Sequence, residues 1–145
     1  MMTQHSATAV HVQRAIAAPP ERVYRAWLDP ELIRRWFAPA TFTVHRVEVD
    51  ERVGGRLRIW HADSAGNDVG GAESEIVELV PGERIVLDWQ FVGPDRTTDP
   101  ALATRLTVTF TPTEDGTRLD LTHDRLDGLR DRYPDVAEQV GPGWE

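Results

Sequence analysis

Residues 84–92 read Arg84-Ile85-Val86-Leu87-Asp88-Trp89-Gln90-Phe91-Val92. Ile85, Leu87, Trp89 and Phe91 occupy alternate positions, the period of a strand that buries one face. Working outwards, the same pattern recurs with turns between. Upstream, Pro81-Gly82 closes a turn after a strand over Ala72–Val80, and Asp63–Asp68, with Gly66-Asn67, reads as a hairpin turn. Arg56–His61 alternates before it, with Leu57, Ile59 and His61 against Arg56, Arg58 and Trp60. Val53-Gly54-Gly55 is a turn or bulge that follows a β-rich stretch, Thr41–Val49, and would bend the sheet. Downstream, Gly93–Ala101 is a polar loop. Arg105–Phe110, with Leu106, Val108 and Phe110 aligned, leads through the turn Glu114-Asp115-Gly116 to Thr117–His123, with Leu119, Leu121 and His123 aligned.

The N-terminal part adds a strand and two helices. Ala9–Ile16 alternates and reads as the first strand, preceded by a flexible polar start over residues 1–8. Ala18-Pro19-Pro20 stops it, and Pro20 with Glu21 suits the first turn of a helix. Val23, Ala26 and Trp27 form its apolar face. Asp29-Pro30 ends that helix and caps a second over Glu31–Phe37, with Leu32, Ile33 and Trp36 inward. The expected fold class is therefore α+β. It is a curved antiparallel sheet of six to seven strands, with two short helices after strand 1 and an apolar face that needs a cover. Towards the C-terminus only Pro134–Val140 offers a helical pattern before Gly141-Pro142-Gly143-Trp144-Glu145, so a terminal covering helix is expected to be shortened or missing.

The chain has 145 residues, the size of one domain, read here as residues 9–145. It contains no cysteine, which excludes disulfides, thiolate metal sites and a cysteine nucleophile. The net charge is −8 and every basic residue is arginine. Without a basic run, no nucleic-acid partner and no anionic membrane surface is expected. There is no apolar run long enough for a signal peptide or a membrane span, so the expected location is cytoplasmic.

Beyond the alternation, several motifs stand in a familiar order. The run Ala18-Pro-Pro-Glu-Arg-Val-Tyr-Arg-Ala-Trp-Leu-Asp-Pro-Glu-Leu-Ile-Arg-Arg-Trp-Phe37 resembles the opening of the bacterial homologues of the activator of the heat-shock-protein-ninety (Hsp) ATPase. These belong to the START-like (SRPBCC) superfamily. Asp50-Glu-Arg-Val-Gly-Gly55, Glu78-Leu-Val-Pro-Gly-Glu-Arg-Ile-Val-Leu-Asp-Trp89, Gly116-Thr-Arg-Leu-Asp-Leu-Thr-His123 and Gly143-Trp144 extend the likeness from about Val10 to Trp144. The resemblance implies a helix-grip fold with a cavity between the sheet and a terminal helix. It implies little about activity, since the superfamily includes carriers, receptors, cyclases and co-chaperones. Relatives usually continue beyond the Gly-Trp pair into a long helix. A sheet face left uncovered there would be expected to pair two copies in a homodimer. The eukaryotic activators carry an additional N-terminal domain that this sequence lacks, so a chaperone partner is not expected.

The first expectation is binding of a small hydrophobic molecule, since ligand pockets are mostly apolar with few polar groups. The expected cavity lining is Trp36, Leu57, Ile59, His61, Ile76, Leu87, Trp89, Phe91, Leu106, Val108, Phe110, Leu121 and His123. Trp27 reads as core and Trp60 as outer face. A cyclase-, dehydratase- or hydrolase-type enzyme would instead need His123, His61 and Glu78 to converge in the cavity. Glu73 and Glu75 share a solvated outer face, whereas Ser74, Ile76 and Glu78 share the opposite one, which would leave Glu78 partly buried at a strand end. A protein-interaction module is the third reading. No cofactor is expected and no metal site is read, because His5, His11, His45, His61 and His123 lack ligand spacing.

Overall fold

The computed structural model describes residues 2–5, 9–37, 43–98 and 103–126. Its elements are β1 (Met2–His5), β2 (Val10–Ile16), α1 (Pro20–Ala26), α2 (Pro30–Trp36), β3 (Thr43–Val49), β4 (Arg56–Ala62), β5 (Asp68–Val80), β6 (Arg84–Val92), β7 (Thr104–Thr113) and β8 (Gly116–Asp124). The strands form one antiparallel sheet in the order β1-β2-β8-β7-β6-β5-β4-β3. Hairpins link β3 to β8 in sequence, and β2 closes onto β8. The α+β class and the two helices follow the sequence reading.

The seven strands read from the sequence are β2–β8, and one more joins them. Met2–His5, expected as a flexible start, pairs antiparallel with β2 from Met2 opposite Gln13 to His5 opposite Val10. This pairing uses the unpaired backbone groups on the free edge of β2. It leaves no trace in apolar periodicity. The described sheet thus has eight strands, and the helices follow the second of them. The segment 134–140 lies outside the described residues.

Local chemistry explains the helix boundaries. Pro20 and Pro30 each stand in the first turn, where a missing N–H costs nothing. Asp29 caps α2 by accepting the Glu31 N–H at 2.9 Å. α1 packs on β7 and β8, with Tyr24 edge-on to Phe110 at a centroid distance of 5.8 Å. α2 packs on β3. Thr117 donates its hydroxyl to the Ala18 carbonyl at 2.6 Å, which ties the entry of α1 to β8.

The inner face carries Val10 and Val12, Leu57 and Ile59, Ala72 and Ile76, Ile85, Leu87 and Trp89, Leu106, Val108 and Phe110, and Leu119 and Leu121, all buried.

One irregularity re-aims a site candidate. Gly54 N–H donates to the Ile76 carbonyl at 2.8 Å, and Ile76 N–H donates to the Gly55 carbonyl at 2.9 Å. The contact of β4 with β5 ends there. Beyond it β5 shifts register against β6, from Ile76 opposite Leu87 to Glu78 opposite Val86. Val77 is the extra residue of this bulge, and it reverses the alternation. Glu78 consequently faces outwards and pairs with Arg84 at 2.5 Å, instead of reaching the inner face.

Candidate ligand-binding site

Aromatic side chains from the helices and the sheet meet in a continuous run. Trp27 and Trp36 lie 4.7 Å apart between centroids, and Trp36 and Phe37 lie 5.3 Å apart. Phe37 reaches Trp89 at 5.8 Å and stacks on His61 at 5.9 Å. Trp89 continues to Phe91 and His123 at 6.0 Å and 6.3 Å. These spacings suit edge-on and offset aromatic contacts. Trp27, Ile33, Trp36, Phe37, Leu57, Ile59, Leu87 and Trp89 enclose a crevice of about 10 Å³ between α2 and the sheet. Trp36 is 41% exposed and Phe91 36%, so a ring on either side of Trp89 along the run reaches solvent. The Trp36 indole N–H donates to the Ala26 carbonyl at 2.9 Å, which orients it at the end of α2.

Of the expected lining, Trp36, Leu57, Ile59, Leu87 and Trp89 border the crevice. Ile76, Leu106, Val108, Phe110 and Leu121 are solid core on the same face. His61, Phe91 and His123 join the aromatic run. Sequence reading missed Ile33 and Phe37 and placed Trp27 in the core alone. Phe37 sits just past α2, and strand or helix periodicity assigns no direction to such a residue.

His123 is fully buried, with its Nε2 2.6 Å from Thr104 Oγ1. Thr104 gives its single hydroxyl hydrogen to the Trp89 carbonyl at 2.9 Å. Nε2 must therefore carry the hydrogen in its bond to Thr104, so Nε2 has no lone pair for proton abstraction. Burial pushes its pKa down to about 3. His61 is half-buried, and its pKa is lowered mainly by burial and secondarily by the positive charge of Arg96. His61 and His123 belong to strands separated by three others, and Glu78 lies on the opposite face. The three acid–base candidates do not converge. Among the described residues no three His, Cys, Asp or Glu gather as a metal site, and no helix is long and apolar enough to cross a membrane.

The outer face holds a partly buried ion-pair cluster where the sequence reading expected a solvated face. Arg96 donates to Glu73 at 2.9 Å, to the Ile59 carbonyl at 3.0 Å and to the Ala72 carbonyl at 2.8 Å. Its guanidinium covers the Trp60 ring at 4.3 Å, and Arg46 lies 4.8 Å from the same ring. Arg58 approaches the other Glu73 oxygen at 3.0 Å. Trp60 faces outwards as expected, but Glu73 is largely enclosed.

A family model described as "Activator of Hsp90 ATPase homolog 1-like protein" matches residues 17–145. The chain belongs to that family. Its fold is the START-like helix-grip type that the motif order implied. A solved protein from Chromobacterium violaceum is 32% identical, with 94% of this chain and 88% of that one covered at a TM-score of 0.73. A protein from Arthrobacter aurescens superposes at a TM-score of 0.82 over 97% of this chain and 83% of the other, with 19% identity. An Hsp90 activator from Plasmodium falciparum superposes at 0.62, with 24% identity and coverage of 82% and 74%. The last two likenesses concern the fold. A search of curated proteins gives no significant match.

Proposed function

We propose that this family member binds a small hydrophobic molecule between α2 and the inner face of the sheet. The observation that carries the reading is the apolar crevice walled by three tryptophans and Phe37, with a partly exposed ring at its rim. Its volume of about 10 Å³ accommodates roughly one water molecule. Pockets for drug-sized ligands measure roughly 300–1,000 Å³. Binding therefore requires Trp36 and Phe37 to move away from Leu57, Ile59 and Trp89. That opening lowers the apparent affinity by the fraction of chains that are open. The absence of a converged acid–base set among the described residues favours binding over turnover.

Titration with naphthalene, followed by tryptophan fluorescence and by the indole N–H signals in ¹H–¹⁵N spectra, tests this. Saturable one-to-one binding is expected, with shifts at Trp27, Trp36 and Trp89 and none at Trp60 on the outer face. Shifts confined to Trp60, or no saturation, would sink the reading.

A further inference from the structure

Among the described residues, the apolar inner face holds a buried hydroxyl that its surroundings do not satisfy. Ser74 is 1% exposed, and its hydroxyl oxygen has no hydrogen-bond partner. Buried hydroxyls are nearly always partnered, so an exception calls for a reason. Its position suggests one. Ser74 stands opposite Leu57 on β4 and opposite Trp89 on β6. Both neighbours wall the crevice. Because residues in register point to the same side of a sheet, the Ser74 side chain lies on the inner face between these two wall residues, just outside the crevice lining and within reach of a ligand once the crevice opens. Along its own strand the same face carries Ala72 and Ile76.

We propose that Ser74 is the polar anchor of the site, and that the ligand is an uncharged aromatic molecule bearing a hydroxyl or carbonyl group. This rests on the binding reading above and adds the ligand's chemistry to it. The hydroxyl can donate or accept one hydrogen bond, so it suits either group. Leu57, Trp89, Ala72 and Ile76 around it bring no charge, and His123 beyond Trp89 is neutral and committed to Thr104. An ionised ligand group would lose its hydration there without a counter-charge. The tryptophans and Phe37 supply flat surfaces for an aromatic ring, and the serine fixes which way that ring lies.

The test compares naphthalene with 2-naphthol on the wild-type chain and on Ser74→Ala. The substitution deletes one unpartnered oxygen, so the variant is expected to fold with an unchanged or higher Tm. In the wild type 2-naphthol should gain from its hydroxyl. The affinity ratio of 2-naphthol to naphthalene should fall about fivefold in S74A, the worth of one hydrogen bond. Naphthalene itself should bind both proteins alike. An equal ratio in the two proteins overturns the role of Ser74 while leaving the binding reading intact. Failure of both compounds to bind the wild type overturns that reading, and the anchor with it.

Discussion

His123→Leu isolates the energetic consequence of burying a neutral histidine. The ring is fully enclosed, and its pKa falls from 6.5 to about 3 on folding. Between these values the unfolded chain holds a proton that the folded chain does not. Stability therefore rises with pH across the window. The contribution is complete above 6.5 and is lost as pH falls towards 3. One pH unit inside the window corresponds to ~1.4 kcal/mol. From pH 7 to pH 5 the protein crosses 6.5 − 5 = 1.5 units of the window and loses ~2 kcal/mol from this group. The full shift of 6.5 − 3 = 3.5 units corresponds to ~5 kcal/mol. Leucine is of similar bulk and cannot titrate. Thr104 keeps its bond to the Trp89 carbonyl, so the variant loses one hydrogen bond, ~1 kcal/mol at pH 7. His123→Leu should thus be slightly less stable than wild type at pH 7 and ~1 kcal/mol more stable at pH 5, from the difference of those two terms. His61 is present in both proteins, so its own titration cancels. Urea unfolding at pH 7, 6 and 5, followed by circular dichroism, measures the difference. A wild-type-minus-variant stability that stays constant across this range would refute the assignment of His123 as a buried neutral ring.

Two further substitutions probe the outer face and the backbone. Arg96→Ala strips three hydrogen bonds from Glu73, Ile59 and Ala72 and uncovers one face of Trp60, and should cost ~2–4 kcal/mol in denaturant unfolding at pH 7. Stability within experimental error of wild type would show the cluster to be energetically idle. Gly70→Ala places a methyl group 2.0 Å from the Val92 carbonyl at a backbone φ of 98°, so a loss of ~2 kcal/mol or more is expected. A thermal midpoint equal to wild type would mean that β5 can re-route there at no cost.

Strand alternation identified the inner face where the ladder is regular. Leu57 and Ile59, Leu106 to Phe110, and Leu119 to His123 all point as their period dictates, because a two-residue repeat leaves each side chain one choice of face. The helix boundaries were equally legible, since Pro20, Asp29 and Pro30 act within a single turn. The motif order carried the family and the fold. Glu78 shows where this local reading ends. Its face depends on a bulge at Val77, and the bulge depends on where β4 stops pairing with β5. Likewise, β1 pairs along the edge of β2, a long-range backbone contact that the apolar periodicity of the sequence does not signal.

The candidate site was partly legible for the same reason. Trp36, Leu57, Ile59, Leu87 and Trp89 belong to regular elements, and their inward direction could be read from spacing. The sequence by itself thus determined the strand-and-turn order, the helix caps, the composition of the inner face and the family. Only the tertiary structure placed Phe37 between His61 and Trp89, set Arg96 on Glu73 and Trp60, and separated His61, His123 and Glu78. It also left the Ser74 hydroxyl partnerless beside Trp89. Local pattern specifies which way a residue faces, whereas the partner it meets across the sheet depends on register, bulges and loop return, all of which join residues distant in the chain.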